Sequence, residues 1–337
     1  MILHQETVEQ AIEGRERGTF LKELVLATGP QPIAMVRKRS ASRAPSRGAV
    51  ILLHGFGQNR YAWHLSRRSF ANHLAHVGHD VFNVDLRGHG RSRRLGARRP
   101  RTLDEYIQED LPAAVREVLR VSGEERVFLL GHSMGGLLCY AAAATLGAKV
   151  RGVISFGSPY RFGSGSTFLS LLALALEGAT WRGPLARDWP IPLRPMSKAL
   201  ASGRSRLLST LLLPIQPWRT GALEPEMLTE YLHRSFDFTS LSVALGIVRG
   251  GRRGRFESAD RVIDYGARFE ALDVPLLVVA GSRDRLAPPD SVRPAHARSR
   301  SSDKTYRELP LGHADLLIGK QAPLLTWPLA ETWMNRR

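Results

Sequence analysis

Short apolar runs recur along the chain with helix-forming stretches between them, and no other feature constrains its fold as strongly. "AVILLHG" (49–55) is apolar up to a His-Gly pair, as expected of a strand buried on both faces. "HDVFNVDLRGHGRS" (79–92), "RVFLLGHS" (126–133), "VRGVISFGSP" (150–159), "DVPLLVVAGSRD" (273–284) and "KTYRELPLGH" (304–313) supply further strands. Between them, "SFANHLAHVG" (69–78) reads as a helix closed by Gly78, and "MGGLLCYAAAATLG" (134–147) as another. "TLDEYIQEDLPAAVREVLRVSG" (102–123) opens with Thr102 and Glu105 at capping-box spacing. Strands alternating with helices imply βαβ units, hence a mainly parallel sheet covered on both faces. Upstream, 20–39 reads as two strands around a Gly-Pro turn, and 40–48 as a polar loop.

The rhythm breaks between 161 and 260. Proline clusters ("DWPIPLRP", "LLLPIQPW"), apolar helical stretches and "RGGRRGR" occupy about a hundred residues there, far more than a simple crossover needs. Leu, Trp and Phe are too frequent for a disordered linker. The expected organisation is a core over 1–160, a helical cap inserted over 161–260, and the rest of the core over 261–337.

The 337 residues suffice for a large core, and 43% hydrophobic with 23% charged content is ordinary for a globular protein. The net charge of +17 is not ordinary. Its basic runs fall in loops instead of on one periodic face, so a solvated arginine-rich surface is expected before a nucleic-acid partner. Peripheral contact with an anionic membrane is the second reading. Cys139 is the single cysteine, which excludes an intramolecular disulfide and a Cys-based zinc site. His73, His76 and His79 cluster at one helix end and are read as a solvated face, not a metal site. "MILHQETVEQAIEGRERG" lacks the apolar core of a secretory signal, and "TFLSLLALALEG" (167–178) is too short to span a bilayer. A cytoplasmic protein is the expectation, with its oligomeric state open.

The chemistry centres on Gly131-His132-Ser133-Met134-Gly135, a G-x-S-x-G sequence between an apolar strand and a helix. In that context small neighbours let the backbone turn sharply and hold the hydroxyl clear, while the helix aims its first amides toward negative charge near Ser133. A serine nucleophile needs a base, and the base needs an orienting acid. Asp284 and His313 each follow a predicted strand. Parallel strands share one carboxyl edge, so Ser133, Asp284 and His313 are expected to meet there. His132 is read as packing beneath the turn, and His296 lies inside a predicted helix. Asp315 stands too close in sequence to His313 to orient it. "HGFG" (54–57) follows the first buried strand, and the amides of Phe56 and Met134 are the expected donors to an oxyanion. The substrate pocket is expected to involve His54, Trp63 and, from the cap, Phe168 and Leu172.

With these pieces assembled, the chain resembles the α/β-hydrolase family in its esterase, lipase and lysophospholipase-like branches. "LLHGFGQN", "DLRGHGRS", "LLGHSMGG", "VPLLVVAGSRDRLAPP" and "LGHADLLIG" carry the resemblance in family order over 49–319 and leave the cap unmatched. It implies an α/β-hydrolase fold with a mostly parallel eight-stranded sheet flanked by helices, a cap over the site, no cofactor and no metal. It also implies nucleophile, acid and base roles for Ser133, Asp284 and His313. The family's dehalogenases and epoxide hydrolases carry aspartate at the elbow, and its polyhydroxyalkanoate synthases cysteine, so Ser133 argues against all three. The expected function is a serine hydrolase cleaving carboxylic esters with an apolar acyl group, a small-molecule or lipid substrate. Acyl transfer or thioester hydrolysis with the same triad is the alternative. A non-catalytic homologue binding an anion through Arg249, Arg252, Arg253 and Arg255 is the reading from outside enzymology.

Overall fold

The computed structural model describes residues 1–42, 46–161, 189–202, 217–253 and 255–337, with backbone alone for 248–253. The main sheet comprises β1 (Ile2–Ala11), β2 (Arg17–Ala27), β3 (Ile33–Ser40), β4 (Ala49–Leu53), β5 (Asp80–Asp85), β6 (Val127–His132), β7 (Val150–Phe156), β8 (Leu276–Gly281) and β9 (Lys304–Leu309). Its spatial order is β1-β2-β3-β5-β4-β6-β7-β8-β9. The pairings from β5 through to β9 are parallel, while β1 to β3 and the β3–β5 junction are antiparallel. The mostly parallel sheet is the expected one, with nine strands in place of eight. The added edge strand is "ILHQETVEQA", polar along most of its length and largely exposed, so no apolar run announces it.

Burial on both faces explains why the central strands read as continuous apolar runs: every residue of β4, β5, β6 and β8 is buried. One face packs against helices Leu111–Ser122, Met134–Leu146 and Pro289–Arg298 through Val115, Leu138 and Val292. The other is covered by Phe70–His76 and Ala322–Met334, with Phe70, Trp327 and Trp333 filling the gap.

The helix expected over 102–122 is not regular. Glu105–Asp110 forms a π-helical segment before Leu111–Ser122 begins. Pro112 has no amide to give to a carbonyl upstream, which loosens the ladder at this point. Glu105 accepts the Arg101 amide at 2.6 Å, one residue upstream of the expected capping partner.

β7 and β8 are neighbours in the sheet, so the chain from 157 to 275 leaves it and returns. Its described parts include helices Leu193–Ala201, Pro225–Arg234 and Leu241–Arg253, with a two-residue ladder pairing Pro190–Ile191 to Thr239–Ser240. Part of the arginine excess is structural and not surface charge. Arg37 bridges Asp80 and Glu23, Arg60 pairs with Asp85, Arg68 with Glu13 and Glu224, and Arg87 with Asp110 and Glu109, and all four arginines are buried. No helix among the described residues is long and apolar enough to cross a membrane.

Candidate active site

The turn between β6 and the helix Met134–Leu146 is held by backbone geometry. Ser133 has φ +54° and ψ −122°, a region that L-residues avoid. Its amide donates to the Phe156 carbonyl at 3.0 Å at the end of β7. The flanking glycines are there for space. A Cβ on Gly135 would sit 2.2 Å from the Leu53 carbonyl oxygen, and one on Gly131 would sit 2.3 Å from the Gly135 backbone. No side chain fits at either position while β4 and the helix keep their distance.

Asp284 lies in the loop after β8 and is 4% exposed; His313 lies in the loop after β9 and is 7% exposed. Nδ1 of His313 donates to Oδ2 of Asp284 at 2.7 Å. The other carboxylate oxygen accepts the Leu286 and Ala287 amides, both at 2.8 Å. The acid is therefore clamped by its own loop before it orients the imidazole, and the bond to Nδ1 leaves Nε2 of His313 as the basic nitrogen. The two loops interlock: Ser282 and Arg283 donate their amides to Leu309 and Leu311 at 2.7 and 3.1 Å. Gly157, with φ +54°, passes so close that a Cβ there would lie 3.1 Å from Asp284 Oδ2 and 3.3 Å from His313 Nδ1.

His132 joins the elbow to the imidazole. Its ring lies 4.5 Å from that of His313, centroid to centroid, and its Nε2 donates to the His313 carbonyl at 3.0 Å. Burial holds the His132 imidazole well below its usual pKa, with His313 adding to the effect, so it stays neutral. It packs beneath the elbow, as expected from its position.

The 54–59 loop faces the elbow. The Cβ position of Gly55 lies 3.3 Å from Ser133 Cβ. Phe56 is half-buried against the core, and Met134 is buried at the first position of the helix, where amides have no intrahelical acceptor. The sequence did not reveal what braces this loop. Gln58 accepts the Gly55 amide through Oε1 at 3.1 Å and donates through Nε2 to the Tyr231 hydroxyl at 2.5 Å. Asn59 donates to the Arg234 carbonyl and to Asp237, both at 2.9 Å, and Asp237 returns its own amide to the Gly57 carbonyl at 2.9 Å. A polar residue two or three places past "HGF" is the only trace of this network in the sequence. Asp315 ties a second segment down by accepting the Gly312 amide at 3.0 Å and the Arg219 amide at 3.3 Å. Burial pushes its pKa up despite those donors.

Two pocket expectations need correction. His54 is 0% exposed, with Nδ1 against the Gly55 carbonyl at 3.0 Å and Nε2 accepting the Leu86 amide at 3.2 Å. Both nitrogens are committed to backbone, so the ring braces the turn and offers no face to a ligand. Trp63 is 1% exposed and packs on Phe70 and Phe156 beneath the sheet. Proximity in sequence to the loop misled here, because the chain turns away after Arg60. Phe168 and Leu172 lie outside the described residues, as do the side chains of Arg249, Arg252 and Arg253. Arg255 stands 3.5 Å from Glu257. The solvated face expected of His73, His76 and His79 holds for His76 alone: His79 is buried and His73 pairs with Glu331 at 3.0 Å. No cluster of three His, Cys, Asp or Glu suited to a metal occurs among the described residues.

A parallel sheet whose carboxyl edge gathers a serine elbow, an acid–imidazole pair and a glycine-rich loop defines a class of fold. The chain belongs to the alpha/beta hydrolase fold family, whose model matches residues 48–320. It is similar to epoxide hydrolase 3 of Xenopus tropicalis, 32% identical over 111 residues, covering 33% of this chain and only 28% of that protein. It is also similar to a tear acid lipase-like protein of Mesocricetus auratus, 23% identical over 330 residues, covering 83% of this chain and 77% of the relative. Among solved structures, a soluble variant of monoglyceride lipase from Saccharomyces cerevisiae superposes with TM-score 0.62 at 16% identity, over 92% of this chain and 94% of that one. At that identity the likeness speaks for the fold.

Proposed function

We propose that the chain is a serine hydrolase of carboxylic esters with an apolar acyl group, working through an acyl-enzyme on Ser133. One observation carries the reading: the Asp284–His313 hydrogen bond of 2.7 Å at the sheet edge where Ser133 holds φ +54°. A serine kept in a strained conformation, next in the chain to a histidine packed on an imidazole whose Nδ1 proton is already committed, suits nucleophilic attack.

His313 Nε2 removes the Ser133 hydroxyl proton as Oγ adds to the ester carbonyl. The amides of Phe56 and Met134 donate to the resulting oxyanion, a role supported by the closeness of the two segments, since a Cβ on Gly55 would lie 3.3 Å from Ser133 Cβ. Asp284 stabilises the imidazolium, which then protonates the departing alcohol oxygen. Water enters, gives its proton to His313, and cleaves the acyl-enzyme to carboxylate and free serine. Relatives named as lipases and a structural neighbour named as a monoglyceride lipase support an ester or lipid substrate. Ser133 at the elbow weighs against epoxide opening, which the resemblance assigns to an aspartate nucleophile.

Labelling with a fluorophosphonate, followed by mass mapping of the modified peptide, tests the nucleophile without choosing a substrate. Modification is expected at Ser133 and nowhere else. p-Nitrophenyl esters of graded chain length then test the reaction, and turnover equal to that of Ser133→Ala at every length would overturn the proposal.

A further inference from the structure

A second concave site lies on the sheet face over β1, β2, β3 and β5, roofed by residues 60–64 and closed at one side by Arg234. Its volume is about 150 Å³, room for about five waters, which suits a small polar ion and not an acyl chain. Five cationic side chains line it: Lys22, Lys38, Arg60, Arg91 and Arg234, with no acidic residue among the lining groups. Three have one carboxylate each outside the cavity: Lys22 with Glu6, Arg60 with Asp85 and Arg234 with Glu230. The side chains of Lys38 and Arg91 form no ion pair among the described residues, although Glu6 feels the charge of Arg91 and Asp85 accepts the Arg91 amide at 2.8 Å.

Lys38 is 3% exposed, and its ammonium meets only neutral groups: Gln10 Oε1 at 2.6 Å, Asn72 Oδ1 at 2.5 Å and His64 Nδ1 at 3.4 Å. The His64 contact is the loose one, because that nitrogen already meets Ser69 Oγ at 2.7 Å. A buried ammonium without a counter-ion is costly. Burial, with Lys22 and Arg60 adding to it, holds the Lys38 pKa well below its usual value, so an anion bound beside it would favour the charged form. Its surroundings register the excess: burial first, then Lys38, Arg60, Arg234 and Lys22 together hold His64 well below its usual pKa. Two further polar atoms are buried without partners, Nε of Arg91 and Oδ1 of Asn83. The Asn83 amide is oriented by its Nδ2 donating to the Arg60 carbonyl at 3.0 Å, so the unused atom is an acceptor.

We propose that this cavity binds a hydrogen phosphate group. Converging ammonium and guanidinium donors match the oxygens of a tetrahedral anion, and the arginine forks suit phosphate geometry. The Asn83 acceptor matches the one P–OH that hydrogen phosphate or a singly protonated phosphomonoester carries and sulfate lacks. Tyr61, with the Arg60 and Arg234 guanidiniums over its ring at 4.4 and 4.2 Å, fixes the spacing of two of the donors. The site is separate from the serine elbow, and the proposal stands or falls independently of ester hydrolysis.

Calorimetric titration of the full chain with inorganic phosphate, in chloride buffer at fixed ionic strength, tests it. One saturable site is expected, weakened by about tenfold or more in Arg91→Gln and in Lys38→Met, with sulfate binding more weakly than phosphate. Arg91 is only half-buried, so Arg91→Gln, its fold checked by circular dichroism, carries the test should Lys38→Met not fold. No saturable heat up to millimolar phosphate, unchanged affinity in Arg91→Gln, or sulfate binding as tightly as phosphate would overturn the proposal. Glycerol 3-phosphate and phosphatidate-containing vesicles separate the two sources of the group. Binding of the soluble ester alone assigns a free phosphomonoester, and vesicle co-sedimentation lost in Arg91→Gln assigns a lipid headgroup.

Discussion

Asp284 holds His313 by a 2.7 Å hydrogen bond to Nδ1 while its second oxygen takes the amides of Leu286 and Ala287. The carboxylate is thus fixed on both sides, and its whole effect on the imidazole passes through one bond. Asp284→Asn keeps the size but can present an N–H to Nδ1, which favours the tautomer with the proton on Nε2 and leaves no base facing the serine. A fall in kcat of about 10³–10⁴ is expected with the fold retained. Steady-state hydrolysis of a p-nitrophenyl ester measures it, and a loss below tenfold would remove Asp284 from the proposed role.

The φ of +54° at Ser133 implies that the site is maintained against local stability. Strain of this kind costs on the order of 1–3 kcal/mol in a non-glycine residue, whereas glycine tolerates it at an unfolded-state entropy cost of about 0.5–1 kcal/mol. Ser133→Gly is therefore expected to be inactive and more stable than Ser133→Ala by about 1 kcal/mol. Urea unfolding of the two variants side by side gives the difference, and an alanine variant as stable as the glycine one would show that the turn carries no strain.

Much of the placement of the candidate site was legible in the sequence because parallel topology turns chain order into spatial position. Ser133, Asp284 and His313 each stand just past an apolar run, and parallel strands bring those ends to one edge. Gly131 and Gly135 were legible for a related reason, since close backbone approach leaves few residue choices. His54 and Trp63 were misread because the direction a side chain takes after a strand depends on the following turn, and no periodicity encodes it. The groups to which Gln58 and Asn59 donate, on Tyr231, Arg234 and Asp237, lie more than 170 positions away. Such pairs leave no local pattern, so bracing of the 54–59 loop by 231–237 is visible only in three dimensions. β1 escaped notice because a polar, exposed edge strand has no apolar period to detect.

Acid lability follows from imidazoles buried in the neutral form. His79 is 1% exposed, and burial, its largest influence, lowers its pKa to about 4 despite the nearby Gly48 backbone. Unfolded, it titrates near 6.5. Between those values the unfolded chain binds a proton that the folded chain does not, so stability is complete above pH 6.5 and falls as pH drops toward 4. The loss from this residue alone reaches about 3 kcal/mol. Urea unfolding from pH 7 to 5 should show stability falling with pH, and His79→Leu should reduce the slope by close to one proton. An unchanged slope in the variant would assign the acid limb to other groups.

Gln58 spans the gap between the proposed oxyanion loop and the helix Pro225–Arg234, taking the Gly55 amide with one end and giving to the Tyr231 hydroxyl with the other. It touches no reacting atom in the proposed mechanism and acts as a positioning residue for Phe56. Oxyanion donors work through placement, and an error near 1 Å costs about 10²-fold. Gln58→Ala frees the Gly55 amide and should lower kcat by about 10–100-fold, with KM changed by about threefold or less. Tyr231→Phe removes only the far end of the bridge and leaves the bond to Gly55, so it should lose less, about tenfold at most. That order is what separates positioning from general loss of structure: Tyr231 is the larger and fully enclosed side chain, and a purely structural role would make its substitution at least as damaging as that of Gln58. Steady-state kinetics on both variants, with urea unfolding to account for stability, reads the comparison. Equal losses, or a loss confined to KM, would mean that the bridge holds the two segments together without placing the oxyanion donor.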